Sequence, residues 1–447
     1  MALVTALKSA LPEVDMLTEV ADMARFVSGV RGETGKAAAV LRPESSKEMV
    51  QAVCALNALG IRYHTQGGNT GLVGASIPDA TGEQVVISTE RLKDVFEVDL
   101  ENRSLRVSAG FHLSEVNERL EPHGLFFPID LGSDPQIGGM IATNTGGGRF
   151  LRYGDMRQQV LGLALITSAG EAVKLRGPVR KANTGTDWMQ LAIGSASDFG
   201  IITEAVLNIE PIPRQQATAL IVPKDEAAIL PLLQALERLA GPMLSAFEFM
   251  SHAAMEAAFA HIPTLRNPFA NGVLPQIALL VELSRPNEPA AWETDLDEVL
   301  QQILMAIWEG EDVAIEDALF GRADTMWAMR HGLSEGVRCT GKLYAFDLGF
   351  RRQDVLAFRA AMQVDLTQQF PDVQICDFGH VGDGGLHFNL VVDPARHSAT
   401  FEEELRDWVV ENAVDRFGAS FSAEHGIGPK NQKYFDKYGQ TQPFPIN

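Results

Sequence analysis

The chain has 447 residues, 46% of them hydrophobic and 21% charged, a composition that excludes a wholly disordered chain and predicts two or three globular domains. Its 37 basic and 58 acidic residues give a net charge of −21, which repels phosphates and argues against nucleic acids and anionic membranes as partners. The three cysteines, Cys54, Cys339 and Cys376, form no CxxC pair, which argues against a disulfide framework or a cysteine-based zinc site and indicates a reducing compartment. No apolar run reaches the roughly 18 residues of a membrane helix, so we expect a soluble, cytoplasmic protein.

The first half of the chain alternates short apolar strands with glycine-rich turns. A strand at 37–41 precedes a predicted helix over 43–60, where Ser45 and Glu48 have the spacing of a capping box. Further strands are predicted at 85–88, 105–108, 160–167 and 205–209. The pattern is typical of an α+β fold.

The prolines of the segment 210–214 predict a domain boundary, because proline restricts both itself and the residue before it. We therefore expect one domain in residues 1–213 and a second in residues 214–447. The second domain alternates strands and helices, with strands predicted at 219–222, 246–250, 276–283, 343–348, 373–378 and 386–392, and helices at 225–240, 290–308, 352–369 and 399–417. This order predicts a sheet with helices on one face.

A glycine-rich loop, HTQGGNTGLVG at 64–74, lies between two predicted strands. It lacks the following helix and the acidic residue of a GxGxxG dinucleotide motif, and the chain has no GxxxxGK[ST] motif. The sequence therefore lacks the usual binding motifs for NAD and ATP as principal cofactors. Its glycines leave successive backbone N–H groups accessible, and such a loop can bind a diphosphate as an anion-binding nest. Glycines that only build tight turns would give the same pattern.

A second glycine-rich run could hold the other end of one large cofactor. It reads PIDLGS at 128–133 and IGGMIATNTGGGR at 137–149. The small residues let the backbone approach a flat ring or a diphosphate, and the side chains of Ser133, Thr143 and Asn144 can form hydrogen bonds.

Together with RPESS at 42–46 and GIITEAVL at 200–207, these motifs resemble the FAD-binding domain of the vanillyl-alcohol oxidase type flavoproteins over residues 37–213. The resemblance implies a two-lobed FAD-binding domain and a substrate, or cap, domain whose antiparallel sheet is covered by helices. Asn69 stands where members with covalent flavin often carry histidine, which implies FAD without a covalent bond. The implied FAD contacts come from Gln66, Gly67, Gly68, Asn69, Thr70, Gly71, Gly74, Ala75, Ser76, Pro128, Leu131, Gly132, Gly138, Gly139, Thr143, Asn144, Gly146, Gly147, Gly200, Ile201 and Ile202.

Two histidine-containing motifs lie near the C-terminus, GHVGDGGLHFN at 379–389 and SAEHGIG at 422–428. His380 and His387 flank a tight glycine turn and could converge on one ion, which a carboxylate from the second motif would complete as a His₂Glu site with open positions. In an extended segment Glu424 and His425 diverge, so one could bind the metal while the other addresses the substrate. Loop histidines that only stabilise turns are the alternative.

The same motifs resemble the C-terminal motifs of the FAD-linked D-2-hydroxyacid dehydrogenases, especially those of D-2-hydroxyglutarate and D-lactate. The resemblance implies that His380, His387 and Glu424 bind a zinc-like divalent ion. It also implies that Asn389 binds the substrate carboxylate or hydroxyl, and that His425 is the general base.

A WxxR motif at 327–330 extends the resemblance and implies that Arg330 binds the substrate carboxylate, with Ser334 as a hydrogen-bond donor. The hydroxyglutarate enzymes carry a lysine at the position of Ala345. Lys342 could replace it as a substrate-binding residue only through a turn or bulge, because alternate residues of a strand face opposite sides.

The motifs predict an FAD-dependent dehydrogenase that oxidises a D-2-hydroxy acid to its 2-oxo acid, with a metal-assisted hydroxyl, proton transfer to His425 and hydride transfer to flavin N5. Oxidase or redox-neutral chemistry on the same scaffold stays open. So does an impaired flavoprotein, because the family's GSEGTLGI reads GSASDFGI at 194–201 and because residues 440–447 stand where members continue with a helix and an LDPxxxLNP-type segment. The electron acceptor (electron-transfer flavoprotein, quinone or cytochrome) is not identified by the sequence, and a homodimer is a further hypothesis.

Overall fold

The computed structural model describes residues 2–269, 272–310 and 314–439, so the segment 440–447 considered above lies outside the described residues. The chain divides into two compact units. The first unit comprises Met1–Gly147, Gly154–Ile212 and Glu424–Asn447, and the second comprises Gly148–Tyr153 and Pro213–Ala423. Among the described helices, none has the length and apolar character needed to cross a membrane.

The first unit contains two main sheets, which confirms the mixed α+β prediction for this half of the chain. A four-stranded sheet has the order β1-β2-β4-β3, in which only β1 is antiparallel to its neighbour. Its strands are β1 (Met16–Leu17), β2 (Ala39–Leu41), β3 (Tyr63–Gln66) and β4 (Val85–Ser88). A five-stranded antiparallel sheet has the order β5-β6-β10-β8-β9, formed by β5 (Phe96–Asp99), β6 (Ser104–Ser108), β8 (Val160–Ile166), β9 (Ala172–Leu175) and β10 (Ile201–Asn208). A third pair joins β7 (Leu125–Phe126) to β11 (Glu210–Pro211).

The helices of the first unit are mostly short. They are α1 (Ala2–Ala10), α2 (Val20–Met23), α3 (Ser46–Ala58), α4 (Leu113–Leu120), α5 (Ile137–Thr143), α7 (Met156–Gln159), α8 (Trp188–Ala192) and α15 (Gly428–Tyr438). The predicted cap of α3 is present, since the Ser45 side chain accepts a hydrogen bond from the Glu48 N–H at 3.3 Å. The apolar stripe of α3 is fully buried in the core of this unit.

The second unit is built on one antiparallel sheet with the order β15-β12-β14-β13-β18-β19-β16, and β17 pairs with β19. The strands are β12 (Gln215–Pro223), β13 (Leu244–Ser251), β14 (Ile277–Arg285), β15 (Ile315–Gly321), β16 (Lys342–Gly349), β17 (Gln374–Ile375), β18 (Phe378–Gly379) and β19 (Gly385–Val392). Its helices are α6 (Phe150–Tyr153), α9 (Ile229–Ala240), α10 (His252–His261), α11 (Leu296–Glu309), α12 (Ala323–Thr340), α13 (Arg352–Gln369) and α14 (Ala399–Glu411).

Helices cover both faces of this sheet, so the prediction of helices on one face is wrong. Helices α10 and α12 pack in one apolar cluster with Met250 of β13. The neighbouring Phe249 points to the opposite face, where Arg359 of α13 lies over its ring, with the guanidinium carbon 4.8 Å from the ring centroid. The sequence did not predict α10 and α12. A Cβ at Gly336 of α12 would lie 2.4 Å from the Cα of Ala258, so the close crossing of these helices requires a glycine that weakens the helical pattern.

The sequence predicted a single boundary at residue 213, but two segments of the chain belong to the unit on the other side of that boundary. Residues 148–153 join the second unit because Arg149 forms an ion pair with Glu282 of β14, at 2.9 Å between Nε and Oε1. Residues from Glu424 onward join the first unit, where Lys430 of α15 pairs with Glu33 at 2.9 Å. Both exchanges depend on contacts between residues far apart in the chain.

The burial of the cysteines predicts their reactivity. Cys54 and Cys339 are exposed, whereas Cys376 is buried, and burial, with smaller contributions from the nearby Asp377 and Glu256 carboxylates, raises the pKa of its thiol to about 12. We expect a thiol reagent at pH 8 to modify two thiols of the native protein and the third only after denaturation, because the thiolate is the reactive form. Mass mapping of the labelled cysteines checks this result, and rapid native labelling of Cys376 would contradict it.

Candidate active site

The first glycine-rich loop follows β3 and has a run of successive backbone N–H groups that are available to a ligand. Among the described residues, the N–H groups of Gly67 to Gly71 have no hydrogen-bond acceptor. The loop lies against the second glycine-rich run, because a Cβ at Gly67 would be 3.6 Å from the Cα of Gly139. A Cβ at Gly71, Gly132 or Gly139 would meet no atom within 4 Å, so these glycines border open space. Successive N–H groups without an acceptor can bind a diphosphate as an anion-binding nest.

Side chains of the first loop bond back into the protein and shape its backbone. Asn69 has a φ of +53°, a left-handed conformation that asparagine tolerates. Its Nδ2 donates to the carbonyl oxygens of Arg25 at 3.1 Å and Ser28 at 2.9 Å, and its Oδ1 accepts from Ser76 Oγ at 3.0 Å. Gln66 Nε2 donates to the Phe26 and Ser76 carbonyls, each at 2.9 Å. Of the predicted cofactor residues, Gln66 and Asn69 thus hold the loop in place.

The second run is held in a similar way. Asn144, with a φ of +51°, donates from Nδ2 to Asp155 Oδ2 at 2.7 Å and accepts from the Arg157 N–H at 3.0 Å. The Thr143 hydroxyl donates to the Gly139 carbonyl at 3.1 Å. A Cβ at Gly147 would lie 2.3 Å from the Asp130 carbonyl oxygen, so a larger residue does not fit there. The nest of backbone N–H groups and the close glycine packing fit a cofactor that carries a diphosphate.

The altered motif at 194–201 keeps its place beside α5. The N–H groups of Gly194 and Ala196 donate to the carbonyls of Ile141 and Ala142, each at 2.9 Å. Ala196 and Ser197 adopt left-handed φ values of +51° and +78°. Such angles are unfavourable for residues with a Cβ and favour glycine.

We expect Ser197→Gly to stabilise the protein by about 1 kcal/mol, because glycine removes the cost of the left-handed backbone at this position. Urea unfolding of both proteins measures the change. Ser195→Gly is the matched control, since Ser195 has no positive φ and its hydroxyl donates to the Ala192 carbonyl at 2.8 Å, so this variant should be less stable than the parent. A Ser197→Gly variant with lowered stability would show that the left-handed backbone at Ser197 is not strained.

In the second unit the structure brings His380 and His387 together. Their Nε2 atoms are 3.3 Å apart, with the rings nearly perpendicular at 79°. Two Zn–N bonds of about 2.0–2.1 Å in a tetrahedral site would separate the nitrogens by about 3.3 Å, so the pair has the spacing of two ligands of one ion.

The Nδ1 atom of each imidazole faces a carboxylate. His380 Nδ1 lies 2.8 Å from Glu248 Oε1, and His387 Nδ1 lies 3.7 Å from Asp347 Oδ1. Such carboxylates are characteristic of metal-binding histidines, because they orient the ring and direct Nε2 toward the ion. Neither histidine motif predicts Glu248. The available signal was one acidic residue in the middle of the buried strand β13, since a buried charge needs a partner.

Arg330 lies on the other side of Glu248. Its Nε and Nη2 are both 2.8 Å from Glu248 Oε2, and its side chain is 8% exposed. Burial alone would raise the pKa of Glu248, but the neighbouring His380 and Arg330 side chains outweigh burial and lower that pKa below its ordinary value. Glu248 is therefore an ionised, buried carboxylate shared by an arginine and a histidine.

Strand register decides which predicted substrate residues share the face of His387. Strands β16 and β19 pair without a bulge, with Asp347 opposite His387 and Ala345 opposite Asn389. These four residues therefore face the same side of the sheet. Lys342 has the opposite parity, so the structure does not bring Lys342 to this face, and the bulge that this prediction needed is not formed.

The remaining predicted residues lie at two further places. Ser334 is exposed on α12, one helical turn after Arg330. Glu424 and His425 begin the last segment of the first unit, with 3.7 Å between Glu424 Oε1 and His425 Nε2. They follow Ala423 in the chain, whose N–H lies 3.1 Å from both the backbone oxygen and the Oδ2 of Asp347.

Comparisons with known proteins identify the family of the chain. Residues 37–176 match the FAD binding domain family, and residues 212–443 match the C-terminal domain of the FAD linked oxidases. D-2-hydroxyglutarate dehydrogenase of Xanthomonas citri pv. viticola is 32% identical over 444 residues, covering 96% of this chain and 90% of that protein. The mitochondrial D-2-hydroxyglutarate dehydrogenase of Arabidopsis thaliana is 29% identical over 418 residues, covering 91% of this chain and 71% of that protein. A solved structure of alkyldihydroxyacetonephosphate synthase shares the fold, with a TM-score of 0.72 at 16% identity over 94% of this chain and 80% of that one.

Together with the α+β fold, these matches define an FAD-dependent oxidoreductase that acts on a CH–OH group. The chain belongs to the FAD-linked oxidases of the vanillyl-alcohol oxidase type. The predicted family, fold class and enzyme class are thereby confirmed.

Proposed function

We propose that the protein is a dehydrogenase that oxidises a D-2-hydroxy acid, of the D-2-hydroxyglutarate or D-lactate class, to the 2-oxo acid with the help of a divalent metal ion. The names of its relatives support the substrate class. The observation that carries the proposal is the pair of imidazole Nε2 atoms, 3.3 Å apart, on the sheet face that also carries Asn389.

The metal ion would be held by His380 and His387 through Nε2, with the Glu424 carboxylate as the third ligand. The donor set of two imidazoles and one carboxylate suits zinc and leaves a position open. When bound, such an ion acts as a Lewis acid that makes a coordinated hydroxyl more acidic.

The carboxylate of the hydroxy acid would bind to Arg330 and Asn389. A guanidinium has five N–H donors, and the contacts with Glu248 use those of Nε and Nη2. The donors of Nη1 remain for the substrate carboxylate, which suits the planar arginine fork. The Asn389 side chain lies on the face of His387, where it can donate a further hydrogen bond. The exposed Ser334 hydroxyl is a third candidate donor.

His425 would accept the proton of the substrate hydroxyl as the general base. FAD supplies the acceptor for the hydride that leaves the substrate carbon. Asn69 at the covalent-attachment position supports FAD held without a covalent bond, so acid precipitation should release free flavin. An external acceptor, namely electron-transfer flavoprotein, a quinone or a cytochrome, would then reoxidise the enzyme.

Anaerobic flavin reduction tests the proposal. The purified protein should show a flavin absorption spectrum, and D-lactate, D-malate or D-2-hydroxyglutarate should bleach it while the L-enantiomers do not. Elemental analysis should find one divalent ion per chain. A yellow protein that none of these acids bleaches would refute the proposed substrate class. Rapid recolouring by oxygen would assign it to the oxidases, and a colourless protein that does not bind added FAD would indicate an impaired flavoprotein.

A further inference from the structure

Glu248 is a buried carboxylate in the middle of β13 that joins two functional side chains. Its side chain is 3% exposed, so water has little access to it. One oxygen, Oε1, lies 2.8 Å from His380 Nδ1, and the other, Oε2, lies 2.8 Å from two nitrogens of Arg330. Both oxygens are therefore engaged, each by a different partner.

The chemistry of these three groups determines where the proton of His380 lies. An ionised carboxylate only accepts hydrogen bonds, so the short contact with Oε1 requires a proton on His380 Nδ1. In the neutral ring, a proton on Nδ1 leaves the lone pair on Nε2, the nitrogen that faces His387. Nε2 is thereby ready to bind an ion.

Arg330 determines which way the carboxylate points. A guanidinium has donors and no acceptor, so it can hold Glu248 only through a carboxylate oxygen. The Phe378 ring lies under the guanidinium, with 4.9 Å between Cζ and the ring centroid, and restricts its movement. With Oε2 committed to Arg330, Oε1 is directed toward His380.

We propose that Glu248 is a positioning residue that sets the tautomer and ring direction of His380 for metal binding and holds Arg330 in place, an inference that rests on the metal site of the proposed function. Glu248 touches neither the ion nor the substrate in this assignment. It acts through His380 and Arg330, as the carboxylate partners of metal-binding histidines do.

The variant Glu248→Gln tests the tautomer directly. Because Arg330 can only donate, the glutamine carbonyl oxygen must face Arg330 and its NH₂ group must face His380 Nδ1. Nδ1 then has to accept, which moves the ring proton to Nε2 and blocks the metal-binding nitrogen. We expect zinc affinity, measured by competition with a chromophoric chelator, to fall roughly 10- to 100-fold.

Glu282→Gln is the matched control. Glu282 lies on the adjacent strand and on the same sheet face, has a fully buried side chain, and binds Arg149, Ser245 and Trp327 instead of a histidine. This variant loses a buried carboxylate of the same kind, and its zinc affinity should equal that of the parent protein. An equal loss of zinc in both variants would show a general structural effect and overturn the inference.

Nitrogen NMR of the metal-free parent protein gives a readout that needs no variant. Histidine labelled with ¹⁵N should show His380 protonated at Nδ1, assigned by its loss in His380→Gln. A proton on Nε2 would overturn the inference even if Glu248→Gln failed to fold, and so would a parent protein that binds no zinc. Loss of zinc in Glu248→Gln without turnover of any D-2-hydroxy acid by the parent would refute only the proposed substrate. Turnover with unchanged zinc affinity in the variant would refute only the role of Glu248.

Discussion

Replacing His425 by alanine is expected to leave a folded, yellow protein whose flavin is reduced by the D-2-hydroxy acid roughly 100- to 10,000-fold more slowly. The imidazole is the proposed acceptor of the hydroxyl proton, and alanine cannot replace it. Its side chain is 18% exposed, so truncation removes some buried contact, and circular dichroism of the variant checks that the protein stays folded. Stopped-flow absorbance under anaerobic conditions measures the reduction rate.

The matched control for this experiment is His123→Ala. His123 is exposed at the end of a short turn, Glu121–His123, and has no role in the proposed site. Its variant should reduce flavin at the parent rate. A His425→Ala variant that does the same would exclude His425 as the base, and loss of the flavin spectrum would show that the residue supports FAD binding instead.

The second large effect is expected for Arg149→Met, which should destabilise the second unit by about 3–5 kcal/mol. Arg149 donates from Nε and Nη2 to the fully buried Glu282 carboxylate at 2.9 and 3.1 Å. Methionine keeps much of the side-chain volume but leaves this carboxylate without its compensating charge. Denaturant unfolding followed by circular dichroism measures the loss.

The effect of Arg149→Met should depend on pH with a predictable sign. Burial would raise the pKa of Glu282, but Arg149 first, then Ser245 and Trp327, lower it below its ordinary value of 4.5. The parent protein therefore has stability from this group above about pH 4.5 and loses it as the pH falls through the lower folded-state pKa. Without Arg149, the pKa of the buried Glu282 carboxylate should rise, so that this carboxylate takes up a proton at a higher pH than in the parent. The loss of unfolding free energy caused by Arg149→Met should therefore be larger at pH 7 than at pH 5.

Two further variants separate the charge effect from packing. Arg152→Met removes an arginine of the same segment that binds the Ser284 carbonyl and hydroxyl and, within the described part of the chain, no carboxylate. It should cost only about 0.5–1.5 kcal/mol. Combining Arg149→Met with Glu282→Gln should recover part of the loss, because no buried charge is left unpaired. Equal losses in Arg149→Met and Arg152→Met would show that the ion pair contributes nothing specific.

Local patterns in the sequence predicted most of the described strands but only a minority of the described helices. Helix α3 begins at its predicted cap, and strands β12, β13 and β14 extend beyond the predicted strands by only a few residues. Helix α10 was missed because its alanines blur the difference between polar and apolar faces. Helix α12 does carry an apolar stripe, Met326, Met329, Leu333 and Val337, but its two interior glycines and polar residues obscured the helical pattern.

The candidate site was predictable where it depends on one motif. His380 and His387 flank one turn, and the structure brings their rings together as expected. Glu248 was not predictable from either motif, because 132 positions of sequence separate it from His380. Only the sheet, which places β13 beside β18, creates that contact. The contact of Arg330 was not predictable for the same reason: the proposed substrate ligand forms an ion pair with Glu248.

The division of the chain into two units has a consequence for the order in which the protein folds during synthesis. The second unit is complete once Ala423 has been made, whereas the first unit still lacks α15, whose Lys430 pairs with Glu33. Domains tend to fold as units when their last segment becomes available. The unit that begins the chain is therefore the last to be completed, and a truncated chain that ends at residue 423 should contain all of the second unit beside a flavin-binding unit that lacks its last segment.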